Sequence, residues 1–84
     1  MKDVIEYIKE EQELIDLEYE LIEKMVQLRK EKGLSQRDLC KLINMKQPYL
    51  VKVETKKVSP SLNTLVKILS ALDCKIEIKD LTNK

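Results

Sequence analysis

Residues 33–54 read GLSQRDLCKLINMKQPYLVKVE, and in that order they carry the signals for two short helices with a tight turn between them. Gly33 is the only glycine among 84 residues. It follows a helical run, where a left-handed stop is needed and glycine meets no Cβ clash. Ser35 stands as an N-cap, and Asp38, three residues on, completes a capping box. Leu39, Cys40, Leu42 and Ile43 give the helix over 36–43 one apolar face. Asn44 tolerates a positive φ, so the chain can turn there. Gln47 and Pro48 open a second helix over 47–54, because the first helical turn leaves N–H groups unused and proline lacks one. Leu50 and Val53 mark its inner side.

Outward from this unit, the N-terminal flank is helical and acidic. Asp3 can cap a first helix carrying Val4, Ile5, Tyr7 and Ile8, followed by a polar run, KEEQE, at 9–13. Asp16 is a plausible N-cap with Glu18 and Glu20 in the first turn. The pattern therefore predicts two helices, over 3–13 and 17–32. A single long helix stays open, because no proline or glycine interrupts the stretch. Leu21, Ile22, Met25, Val26 and Leu28 repeat at helical spacing, and Arg29, Lys30 and Lys32 suit the negative end of the helix dipole.

On the other side, TKKVSPS is a loop in which Pro60 breaks the chain and Ser61 caps the next helix. Leu62, Leu65, Ile68, Leu69 and Leu72 form one stripe, so this helix packs on the motif, and Asp73 closes it. The period then changes to two: Cys74, Ile76 and Ile78 alternate with Lys75, Glu77 and Lys79, the pattern of a half-buried strand. No other segment reads as a strand. A lone strand leaves backbone groups unpaired, which implies a partner for it.

Composition narrows the functions. With no histidine, and with Cys40 and Cys74 far apart, no metal site, cofactor site or histidine-based catalytic group is expected. No nucleophile–base pair or phosphate loop is visible, so the chain does not read as an enzyme. No apolar run reaches membrane-spanning length and no signal peptide opens the chain, so the expected location is the cytoplasm and no membrane partner is expected. Charge is uneven. Residues 1–32 hold six Lys/Arg against ten Asp/Glu, a net of −4, whereas residues 33–84 hold ten against five, a net of +5. The basic half suits phosphate and the acidic half does not.

Two short helices joined by a tight turn make a helix-turn-helix, whose second helix is shaped to enter a major groove. The run LRKEKGLSQRDLCKLINMKQPYLVKVE resembles the helix-turn-helix of the Xre/Cro group of phage-type repressors and antitoxins, over roughly Leu28 to Leu72. The resemblance implies an all-α, five-helix, lambda-repressor-like domain with a short C-terminal β-strand. Residues 1–16 would be a helical extension, 17–72 the core and 73–81 the strand. It further implies that Gln36 reaches phosphate from the first motif helix and that Cys40, where alanine is usual, permits a close helix crossing. Lys46, Gln47, Pro48 and Lys52, with Tyr49 and Val51 at the margin, would face the bases, Gln47 being able to pair bidentately with adenine. Lys56 and Lys57 are phosphate candidates. Arg29 and Glu54 match an arginine–glutamate pair that pins two helices. The chain departs from the pattern at Lys46, where a serine or threonine cap is usual, and at Pro48, which removes a polar base contact.

The flanks, with LEYEL before the motif, PSLNTL after it and KIEIK at the end, look like HigA-type antitoxins of type II toxin–antitoxin systems. The partners implied are double-stranded DNA carrying a palindromic operator, a second copy of the chain paired through Cys74, Ile76 and Ile78, and a co-encoded RelE-like RNase toxin. Two other functions fit the same residues: a phage-type or general Xre repressor without a toxin, and an interaction module that no longer binds DNA.

Overall fold

The computed structural model describes the backbone of residues 4–80 and 82, and side chains from residue 10 onward. Four helices are present among them: α1 Val4–Glu31, α2 Gln36–Ile43, α3 Gln47–Glu54 and α4 Leu62–Ala71. The expected cap Asp3, the side chains of Val4, Ile5, Tyr7 and Ile8, and Leu81 lie outside the described residues.

Two expectations need correction. The two N-terminal helices, over 3–13 and 17–32, are one helix of 28 residues, so the count is four and not five. Asp16 does not cap a new start. Its carboxylate accepts a 3.0 Å bond from Gln12 Nε2, one turn earlier, as an interior helix residue does. The C-terminal strand is also absent, with no strand over residues 73–80. Cys74 serves the stop of α4 instead, its N–H donating to Leu69 O at 2.8 Å. Beyond it Ile76 and Ile78 are 46% and 95% exposed, so of the alternating residues Cys74 alone packs against the core. A strand needs a ladder, and among the described residues no second extended segment supplies one.

Each helix end has a local chemical cause. Ser35 Oγ accepts from the Asp38 N–H and Asp38 Oδ2 accepts from the Ser35 N–H, both at 3.0 Å, which completes the capping box of α2. Ser61 Oγ likewise accepts from the Thr64 N–H at the start of α4. Left-handed residues come after all four helices: Gly33, Asn44, Lys56 and Asp73. After α1, Gly33 N–H donates to Lys30 O and Leu34 N–H to Arg29 O, the paired bonds of a Schellman stop.

The core is aliphatic. Ile22, Met25, Leu39, Leu50, Val53, Ile68 and Leu72 are at most 2% exposed. α2 packs on both α3 and α4, and α1 lies against α3. Burial on α1 begins at Ile22; residues 10–21 stand outside the core.

Candidate nucleic-acid interface

The two motif helices are fixed by a polar knot that their sequence separation hides. Arg29, on α1, donates from Nε to Glu54 Oε2 at 2.7 Å and from Nη2 to Glu54 Oε1 at 2.9 Å. Its Nη1 donates to Leu34 O at 2.7 Å. Gln36, at the start of α2, donates to Glu54 Oε1 at 2.9 Å. One carboxylate at the end of α3 thus ties α1 and α2 together. Arg29 is buried, so this bidentate geometry is held in a poorly screened setting.

That knot orients α3. Tyr49 and Leu50 donate their N–H groups to Lys46 O, which starts the helix, while the Lys46 side chain makes no capping bond. Leu50 and Val53 point inward, and Tyr49 is half-buried against the core. Lys46, Gln47, Pro48 and Lys52 are exposed. Val51 is partly open. Gln47 also lines a groove of about 460 Å³ with Arg37, Lys41 and Asn44.

Arg37 and Lys41 are exposed and were not singled out by the motif. Their signal was legible: a basic pair at i, i+4 on the side of α2 away from Leu39. They line the groove that holds Gln47, and Lys46 and Lys52 add two exposed cations, one just before α3 and one in its last turn. Lys57 is exposed in the loop after α3. Two expected phosphate contacts are engaged elsewhere. The Gln36 amide is bound to Glu54. Lys56 donates to the Glu23 carboxylate, and its ammonium sits 5.2 Å from the centroid of the Tyr19 ring. Cys74 is half-buried, with its thiol donating to Leu72 O, whereas Ile76 and Ile78 are exposed.

Two groups have displaced acidities. The Asp38 carboxyl is held below its ordinary value, first by the backbone N–H of Ser35 and then by the Ser35 hydroxyl. The Cys40 thiol is pushed up by burial and then by the nearby Glu54 charge, with Arg29 opposing, so it remains a neutral packing group. Among the described residues no group of histidine, cysteine and acidic side chains could hold a metal, and no helix is long and apolar enough to cross a membrane.

A family model described as helix-turn-helix matches residues 25–79. The chain belongs to the helix-turn-helix family. This is a family of DNA-binding regulators of transcription, and the match spans all three elements of the interface, from the end of α1 through α2 and α3. The chain is 33% identical over 69 residues to an uncharacterized HTH-type transcriptional regulator of Haemophilus influenzae, covering 82% of this chain and 70% of that protein. Its fold is similar to that of a solved toxin–antitoxin module from Streptococcus pneumoniae. The TM-score is 0.63 and the identity 27%, over 96% of this chain and 84% of that one.

Proposed function

We propose that the chain is a sequence-specific transcriptional repressor and the antitoxin of a type II toxin–antitoxin module. It binds a palindromic operator as a dimer in the cytoplasm, represses its own operon, and neutralises a co-encoded RelE-like RNase toxin. It acts by binding, not by catalysis. The observation that carries the DNA reading is the exposed start of α3, where Gln47 shares a groove with Arg37 and Lys41 of α2, with Lys46 exposed just before it and Lys52 exposed in the last turn of the same helix. Gln47 has the two-headed amide that matches adenine, and the cations supply the phosphate contacts that set register. Lys57 extends the basic side beyond α3. Gln36 supports this surface from behind, by holding Glu54, and Lys56 supports it by holding the loop to α1.

The residues after α4 are the proposed contact between two copies, with Cys74 anchored and Ile76 and Ile78 exposed for the partner copy. Two recognition helices would then be set about 34–36 Å apart, one DNA turn. Support for the toxin partner comes from the toxin–antitoxin neighbour, whose likeness extends over nearly the whole chain. The test is a shift assay on the region upstream of the gene, run at several salt concentrations against random DNA. A repressor gives specific retardation that weakens steeply with salt. Equal binding to both DNAs at every salt would overturn sequence-specific repression.

A further inference from the structure

The N-terminal part of α1 presents a second surface, which the DNA-binding face does not use. From Glu10 to Ile22, where burial begins, the helix runs about 18 Å beyond the core at 1.5 Å per residue. On it Leu14, Leu17 and Leu21 are 66%, 61% and 41% exposed. Their i, i+3, i+7 spacing places them in one stripe. The stripe ends at Leu21, on the lip of a separate groove of about 360 Å³ whose other lining includes Lys24, Leu28, Leu69 of α4, Lys75 and Ile76.

The edges of the stripe are charged. At 100° per residue, Glu13 and Glu20 border it on one side and Glu11 and Glu18 on the other. Residues 10–23 together hold seven Asp or Glu and no Lys or Arg. That charge selects the occupant. DNA is repelled from this stretch. A second copy is disfavoured, because a two-fold axis sets the same acidic rims against each other. A basic protein with an apolar cleft meets both features, taking the leucines as anchors and the carboxylates as a rim.

We propose that Leu14, Leu17 and Leu21 form the docking stripe for the basic protein partner, so that this chain carries its protein and DNA sites on separate elements. The inference rests on the antitoxin reading, with the partner encoded beside the gene. Leucine anchors supply the affinity and the carboxylates supply a fast, salt-sensitive approach.

The test uses the full chain and the purified product of the adjacent toxin-sized reading frame, titrated by calorimetry. The variant is Leu14→Glu with Leu17→Glu. Both positions are open to solvent and outside the core, so its melting temperature and operator affinity stay at the parental values. The expected result is a loss of partner affinity of at least about 30-fold, as for anchor residues at an interface. A second variant, Glu13→Lys with Glu20→Lys, is expected to flatten the salt dependence of association. If the parent binds the product and the leucine variant binds equally well, the docking site is overturned while the antitoxin reading stands. If the parent does not bind it, both fall. If the leucine variant alone turns a dimeric parent into a monomer in sedimentation, a second copy covers the stripe and the proposal is overturned.

Discussion

Replacing Glu54 with alanine removes the acceptor of three donors at once: Arg29 Nε, Arg29 Nη2 and Gln36 Nε2. Gln36 is half-exposed and can turn to water. Arg29 cannot. It is 6% exposed and would keep only its bond to Leu34 O. Stranding one member of a buried pair in this way costs about 3–5 kcal/mol. A chain of this length has a total stability of about 4–13 kcal/mol at ~0.05–0.15 kcal/mol per residue. The loss is therefore a large share of the whole, and a loss of about 3 kcal/mol alone lowers the melting temperature by roughly 12–24 °C. The measurement is a far-ultraviolet circular dichroism melt, repeated in urea. A companion variant, Arg29→Met with Glu54→Leu, removes both charges and is expected to recover most of the lost stability, since an apolar pair of similar volume replaces a buried ion pair at little cost. Melting of Glu54→Ala within about 5 °C of the parent, well short of the scale set by a stranded charge, would refute the buried-knot account. So would a double variant no better than the single one.

Three further outcomes are expected. Gly33 has a φ of +70 with nothing within 4 Å of an added Cβ, so Gly33→Ala should lose about 1 kcal/mol through backbone strain alone, while Asp73→Gly, at φ 57, should gain up to about 1 kcal/mol in the same urea titrations. Gln47→Ala should weaken operator binding by about 1–3 kcal/mol and leave random DNA alone, whereas Lys41→Ala should weaken both and reduce the salt slope by about one unit in the shift assay. Because Asp38 is more acidic in the folded state than unfolded, its contribution is complete above the unfolded value near pH 4 and is lost as pH falls through the lower folded value. Asp38→Asn should accordingly flatten that part of the acid-stability curve in a pH-stepped melt.

The motif was legible because its signals act over three or four residues. Ser35 and Asp38 satisfy each other locally, and Asn44 turns left-handed wherever the surrounding chain lies. The single helix α1 was less legible because an aspartate such as Asp16 serves equally as a cap or, with Gln12 one turn before it, as an interior residue. The strand misled because a period of two describes side-chain alternation and supplies no hydrogen-bonding partner. Gln36 and Lys56 were assigned to phosphate by their place in the motif. Their engagement depends on Glu54 and on the Tyr19–Glu23 face of α1, which only the folded arrangement brings near. Arg37 and Lys41 were visible as a spaced pair, but the motif drew the reading toward α3.

The uneven burial along α1 divides one helix between two regimes of opening. Near Met25 and Arg29 its amides are locked under the core, so their hydrogens exchange only when the whole domain opens. Between Glu10 and Leu21 the helix is held mainly by its own turns, and isolated helices of such length are marginal in water. Amide protection should therefore fall along a single unbroken helix, from the deepest value in the molecule to almost none over about three turns. That gradient makes the outer turns a sensitive gauge of occupancy, since anything that settles on them slows exchange there long before it changes the stability of the domain.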